Sequence, residues 1–320
     1  MKSSLIQLHL AVLLWGFTGV LGRAISLDAP VLVWYRMLIT ALFLAAIIFY
    51  RKQWVSIERK DMVQLVLVGL LFSLHWVGFY GAIKFANASI ALVCLSTASI
   101  FTSTLDPFVN KTKHDPFELL IGLLAVLGVY LIYATQQYFG VGIILGIIAA
   151  ILSSIFTVLN KRISHKYHSR TIVFYEMAAG FIFISLLMPI QFYIFPNTSF
   201  IPRTTNLLGA DWNHNDWLWL IILSICCTVW AQSLAINALK KLSAFTVTLS
   251  VNLEPLYGMI LAFIFYHENR ELGKGFFIGF CLIVLSVFLQ TARLLRQARS
   301  GRQAEEEASP GFIEEKGGLD

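Results

Sequence analysis

Charge is scarce in this chain. Asp, Glu, Lys and Arg make up 13% of its 320 residues, about half of the roughly 25% typical of a soluble domain. Water is therefore excluded as the solvent for most of its surface. A contiguous basic face is missing too. The net charge of +6 is spread in short bursts between apolar runs, which excludes nucleic acid as a partner and suits a membrane surface. Cys94, Cys226, Cys227 and Cys281 all lie inside apolar runs without metal-ligand spacing, and the adjacent pair is badly placed for an ordinary disulfide. Walker loop, G-x-S-x-G elbow, H-E-x-x-H pair and Cys/His cluster are all absent. ATP-driven transport by this chain alone and zinc hydrolysis are excluded, and no cofactor or metal is expected. Ten-residue alternation of apolar and polar residues is also lacking, which rules out a transmembrane strand barrel.

What the chain has is apolar length. A spanning helix needs about 20 largely apolar residues, and such runs lie near 4–22, 30–50, 62–84, 88–108, 117–136, 139–160, 171–195, 216–239, 244–265 and 274–295. Backbone groups in lipid must be satisfied within the segment, so an all-α polytopic membrane protein of about ten transmembrane helices follows. The first run lacks an A-x-A-like cleavage site and reads as a retained helix rather than a signal peptide. With the N-terminus inside, 18 Lys and Arg fall in inner connectors and five in outer ones. This bias predicts a multi-pass protein of a plasma (inner) membrane with both termini cytoplasmic. The long connector 196–215 then lies outside. Its Asn197-Thr198-Ser199 is a glycosylation acceptor only in a eukaryotic secretory setting. After 296 the sequence turns from basic to acidic, which predicts a disordered cytoplasmic tail over 296–320.

The sequence also repeats itself. Val33-Trp34-Tyr35-Arg36-Met37 parallels Val173-Phe174-Tyr175-Glu176-Met177 at an offset of 140. Phe17, Thr18 and Arg23 parallel Phe156, Thr157 and Arg162 at 139. Trp76, Ser89 and Ser96 parallel Trp230, Ser243 and Ser250 at 154, and Ile121-Gly122 parallels Ile278-Gly279 at 157. The order is consistent and predicts two five-helix repeats, 1–136 and 137–295. Five is odd, so the second repeat enters from the opposite side, as in carriers with a midplane site between inverted halves.

The stretches LLWGFTGVLGRA (13–24), SVNLEPLYGMILAFIFYHE (250–268) and FIGFCLIVLSV (277–287), with Arg36 in the second span, resemble the EamA family of the drug/metabolite transporter superfamily. The resemblance implies a ten-helix carrier whose spans one to four and six to nine surround a cavity, with five and ten at the periphery. It also implies small-metabolite substrates such as amino acids, often exported. One departure stands out. The family's first half usually carries a proline in the fourth span with an acidic residue after it. Aligned at 154, Ile100-Phe101 stands opposite Glu254-Pro255, which puts a symmetric two-carboxylate mechanism in doubt.

Charged groups in lipid cost about 2.5–3.5 kcal/mol each, so each needs a reason. Glu254 falls roughly 15 Å into the ninth span, and Pro255 beside it is expected to remove a helix donor and kink the span. A carboxylate there can bind a cationic group or exchange a proton. The alternative is a protonated Glu bonding a neighbouring helix. Ser243, Thr246, Ser250, Glu254 and Tyr257 share one helical face and suggest a wet cavity. Arg36 and Glu176 sit about 9 Å from opposite surfaces and read as guards of two mouths rather than as a salt bridge; snorkelling is the alternative. Trp15 with Thr18, Ser73 with Trp76 and Tyr80, and Trp230 with Ser233 and Asn237 pair aromatics with polar groups, which suits an amphipathic solute. Tyr175 lies beside Glu176. His75 either titrates or is a satisfied hydrogen-bonding residue. Ser89, Ser96, Ser99 and Ser103 form a small polar face, or a tight packing surface. The spacings Gly142/Gly146 and Gly275/Gly279 fit packing inside a monomer better than a weak homodimer.

These readings converge on a secondary-active transporter of small metabolites, a small-molecule exporter embedded in a lipid bilayer and driven by a proton or an exchange solute. An integral-membrane enzyme acting on a lipid-soluble substrate and a passive channel are the alternatives. The first needs a cluster of acid, base or metal ligands at one interface, which this sequence does not show.

Overall fold

The computed structural model describes residues 2–111, 115–135, 139–204, 215–251, 253–267 and 272–307. His114, half of the long connector, the Asn269–Glu271 turn and the chain after 307 lie outside the described residues. The regular structure among them is helical: α1 (Lys2–Ala24), α2 (Ala29–Tyr50), α3 (Arg59–Phe85), α4 (Ala88–Leu95), α5 (Ala98–Asn110), α6 (Pro116–Thr135), α7 (Gly140–Ile163) and α8 (Ser169–Ile194) come first. Then follow α9 (Asp216–Ser224), a π-turn (Ile225–Trp230), α10 (Ala231–Leu239), α11 (Ala244–Val251), α12 (Glu254–Tyr266) and α13 (Lys274–Glu307). Eight helical spans are long and apolar enough to cross a membrane, and Glu254–Tyr266 and Lys274–Ser286 are shorter apolar helices. Large apolar side chains such as Leu186, Ile182, Ile144 and Ile278 cover the outside of the bundle, a surface that only lipid solvates well. This is an all-helical membrane protein.

Successive spans run antiparallel. Residue 2 and connectors 51–58, 164–168 and 240–243 share one end of the bundle, called here the near end; connectors 25–28 and 86–87 and residues 195–204 share the far end. Each half contributes five crossings, so the second starts where the first ended.

Close helix contacts explain the glycine spacings. A Cβ on Gly128 would lie 2.5 Å from the Gly279 carbonyl oxygen, and one on Gly279 2.3 Å from that of Gly128. Backbone meets backbone there, which seats α13 directly on α6. Gly275 abuts Thr135, Gly142 abuts Ala86 and Gly146 abuts Cys94. All four G-x-x-x-G glycines therefore serve contacts inside the chain.

Three sequence expectations need correction. The fourth and ninth spans are each two helices, not one. Their register is also two residues off. Asn87 caps α4 by accepting the Ile90 N–H at 2.8 Å, and Ser243 caps α11 by accepting the Thr246 N–H at 3.0 Å. The spans end in left-handed residues Lys111 and His267. Caps, breaks and ends all match at 156, because the 240–243 connector is two residues longer than 86–87. Hence Glu254 aligns with Ala98, not Ile100, and the Ser89/Ser243 and Ser96/Ser250 matches fail. Third, α13 continues to Glu307, through the start of the expected tail. The reason is composition: 290–307 is rich in Arg, Gln, Ala, Leu and Glu, all strong helix formers, without proline.

Candidate functional site: a cavity between the halves

Seven spans meet around a small cavity of about 80 Å³. The first four and the sixth, eighth and ninth supply its walls; the seventh supplies none, and the fifth and tenth stand outside. It reaches from Arg36, Thr18 and Phe79, about two turns from the far end of their spans, to Asn160, Leu239 and Val247, which lie within a turn of the near end.

Arg36 is the group that most needs explaining. The residue is 1% exposed. The Nε donates to Thr228 Oγ1 at 2.8 Å, Nη1 to Tyr80 Oη at 2.6 Å and Nη2 to the Cys227 carbonyl at 3.3 Å. Its Cζ lies 3.7 Å from the centroid of the Trp76 ring, a cation–π contact. The π-turn makes two of these bonds available. By widening one helical turn it lets Thr228 bond back to the Leu223 carbonyl at 3.0 Å and frees the Cys227 carbonyl for Arg36. Arg36 has no ion pair among the described residues.

Glu254 stands on the same cavity's wall. It opens α12, with Pro255 in that helix's first turn. Pro255 thus starts a helix rather than kinking one, since the first turn has no internal use for its missing N–H. Thr18 Oγ1 donates to Glu254 Oε1 at 3.3 Å and to the Trp15 carbonyl at 2.6 Å. The contact depends on how close α1 comes to α12: a Cβ on Gly16 would lie 2.7 Å from Tyr257 Cβ.

Below these polar groups lies an aromatic shelf. Phe72 stacks on Phe156 with centroids 4.2 Å apart and meets Trp76 edge-on at 4.8 Å. His75 bonds the Ala149 carbonyl at 2.7 Å and meets Phe156 edge-on. Asn160, Gln232, Thr157 and Thr248 add polar groups toward the near end.

Of the fourteen residues singled out from sequence, the structure brings Trp15, Thr18, Arg36, His75, Trp76 and Glu254 to this cavity. Tyr80 stands behind it as Arg36's partner. Ser96 is buried at the fourth-span break, its hydroxyl donating to the Val93 carbonyl. Tyr175 packs against Phe174, and Glu176 is fully buried off the cavity. Trp230 is 56% exposed on the outside, and Asn237 is half-buried off the wall. Ser250 bonds the Thr246 carbonyl, while Tyr257 packs on α1. The expected polar stripe is therefore split: Val247, Thr248 and Val251 face the cavity, not Ser243, Thr246 and Ser250. Asn160 and Gln232 were findable as polar residues inside apolar runs. Thr228 was not, because a π-turn has no sequence signature.

The far end is latched. Asp216 accepts from Ser26 N at 2.8 Å, Ser26 Oγ at 2.6 Å and Arg203 N at 2.8 Å. Lys84 Nζ donates to the Ile25 carbonyl at 2.6 Å, and Tyr266 Oη to that of Val20 at 3.2 Å. At the near end Lys166 bonds both oxygens of Asp61, at 2.8 and 2.9 Å. That bond holds the Lys166 ammonium above the usual lysine range.

A cavity between two odd-numbered, oppositely entering halves is the layout of inverted-repeat transporters. The family model described as "EamA-like transporter family" matches residues 2–134 and 140–292. The chain belongs to the EamA-like transporter family. This EamA protein is similar to an uncharacterized transporter of Archaeoglobus fulgidus, 27% identical over 90% of this chain and 97% of the relative. It is also similar to the uncharacterized transporter YxxF of Bacillus subtilis, 23% identical over 95% and 94%. A solved crystal structure shares the fold with TM-score 0.64 at 15% identity, covering 89% of this chain and 96% of its own. By family the EamA protein is a multi-pass membrane transporter of the drug/metabolite superfamily, and not an enzyme. Among its described residues, no group of three or more His, Cys, Asp and Glu is arranged to hold a metal.

Proposed function

We propose that this EamA transporter is a secondary-active exporter of small amphipathic metabolites, foremost amino acids with large apolar side chains. It works by alternating access, with repeats 1–136 and 137–295 rocking about the cavity. One observation carries the reading: a cation, Arg36, and a carboxyl, Glu254, share one cavity with an aromatic shelf. A zwitterion matches that pattern. Its carboxylate meets the Arg36 fork, its ammonium meets Glu254 and Thr18, and its apolar side chain lies on Phe72, Trp76 and Phe156. Water-exposed pairs of opposite charge attract weakly, whereas a half-enclosed cavity strengthens both contacts.

The reach of the cavity supports the export reading. The positive bias supports a near end in the cytoplasm of a plasma (inner) membrane, with both termini inside, and the cavity extends toward that end. Solute loads from inside, the near end closes, and the Asp216 latch opens. A proton or an exchange solute supplies the drive.

The test is counterflow in proteoliposomes with labelled leucine, phenylalanine, tryptophan, lysine and glutamate. Saturable exchange of the apolar amino acids is expected, with little of lysine or glutamate. Glu254→Gln should raise the half-saturating concentration about tenfold, the equivalent of ~1.4 kcal/mol. Flux linear in concentration without exchange would show a pore instead.

A further inference from the structure

Glu176 is a buried intramembrane carboxyl, one residue removed from the cavity wall through Asn160, that the zwitterion reading leaves without a task. It is 0% exposed, and neither carboxyl oxygen has a hydrogen-bond partner. The Asn160 side chain lies against it. Asn160 belongs to the cavity wall, and its own oxygen is likewise buried without a partner. Around this pair the packing is dry. A Cβ on Gly69 of α3 would lie 2.3 Å from the Glu176 carbonyl oxygen, and one on Gly180 2.7 Å from the Met37 side chain of α2. An ionised carboxylate with no donor beyond the Asn160 amide among the described residues is costly in such surroundings, so in this conformation the group carries its proton.

Charged neighbours do not alter that conclusion. Arg36 on α2 is held by Thr228 and Tyr80, and Asp61 on α3 by Lys166. His75 on α3 is held by the Ala149 carbonyl, and Lys161 on α7 by the Leu239 and Leu242 carbonyls. Arg162 is exposed, Arg170 on α8 itself reaches Gln53, and α10 carries no charged or titratable side chain.

The repeat says what happens next. Arg36 and Glu176 are equivalent at offset 140, and the structure keeps that register: α2 starts at Ala29 after extended Asp28, α8 at Ser169 after extended His168. Yet α2 gives Arg36 to the cavity while α8 gives nothing. Inverted halves exchange conformations when access alternates, so in the opposite-facing state α8 takes the role α2 has now. We propose that Glu176 is a proton-binding site of the transport cycle, loaded and dry in this conformation and open to the cavity in the opposite one. Water at the far end gives the carboxylate its proton there. The proton crosses as a neutral carboxyl into the present conformation, and it leaves when near-end water reaches the group past Asn160, whose amide can then hold the carboxylate. Net movement is one proton inward against one solute outward.

This proposal rests on the carrier reading, so its test has two arms. The first needs no substrate: infrared spectra of purified protein in nanodiscs, recorded from pH 5 to pH 9. Wild type should show at neutral pH a protonated-carboxyl C=O stretch that Glu176→Gln removes and Glu254→Gln does not. A band unchanged in Glu176→Gln would overturn the site. The second arm is pH-gradient-driven transport of labelled leucine and phenylalanine. Glu176→Gln, close in shape and uncharged, should keep counterflow yet lose gradient stimulation, and Glu176→Asp should keep stimulation with a shifted pH profile. Full stimulation in Glu176→Gln, or none in a wild type that exchanges these solutes, would also overturn it. Should wild type move neither amino acid, the substrate reading fails while the infrared arm still decides the site.

Discussion

The fourth and ninth spans break at equivalent positions by different means. In the fourth, the Ser96 and Thr97 hydroxyls and amides turn back onto the carbonyls of Val93 and Cys94, ending α4 and letting α5 restart at Ala98. In the ninth, Pro255 lacks the N–H that would join α11 to α12, and α12 restarts at Glu254. Side-chain back-bonding and a missing donor both interrupt a helix. The two halves thus share a geometry without sharing residues. Their third and eighth spans differ in burial. Trp76 is 5% exposed and lies under Arg36, whereas Trp230 at the same repeat position is 56% exposed. Equivalent tryptophans thus meet different surroundings, one the cavity and the other the outside of the bundle.

The sharpest way to break this comparison is to truncate both tryptophans. Trp76→Ala should destabilise the protein by about 3–5 kcal/mol, the usual range for a buried aromatic. Trp230→Ala should stay within about 0.5 kcal/mol. Denaturation in detergent measures both, and equal losses would erase the asymmetry.

Proline scanning tests the 156 register. Ser99 is the counterpart of Pro255, in the first turn of α5, so Ser99→Pro should cost under ~1 kcal/mol. Phe101→Pro lies one turn inside α5 and should cost about 3 kcal/mol. Thermal melts that rank them the other way would restore the 154 alignment.

Arg36→Met should slow transport about 10- to 100-fold, from the roughly 1.5–3 kcal/mol that a hydrogen bond to a charged group contributes. Thr228→Val should have a smaller effect in the same initial-rate assay. Gly279→Leu should destabilise by about 1–3 kcal/mol through overpacking against α6. Gly140→Leu should be close to neutral, since nothing lies within 4 Å of its Cβ position. Size-exclusion profiles on heating separate the two.

Much of the fold was legible in the sequence because its cause is local. Ten runs of suitable length need only apolar residues in a row, and the repeat showed through Val33–Met37 and Val173–Met177. The cavity was legible in part. Arg36, Trp76 and Glu254 are conspicuous inside apolar runs, whereas Phe72 and Phe156 look like any other lipid-soluble side chains. The Ser243–Tyr257 stripe misled because an unbroken helix was assumed through Leu253, and helical phase is lost at a break.

By itself the sequence determined that this chain crosses lipid some ten times in two opposed halves, since hydropathy and length are properties of single segments. Only the tertiary structure decided which faces meet. In lipid every apolar face is equally well solvated, so the choice falls to close backbone contacts such as Gly128 on Gly279 and to hydrogen bonds such as Arg36 to Thr228. Those depend on atoms brought together from distant parts of the chain, and a π-turn or a two-residue difference between connectors is enough to redirect them.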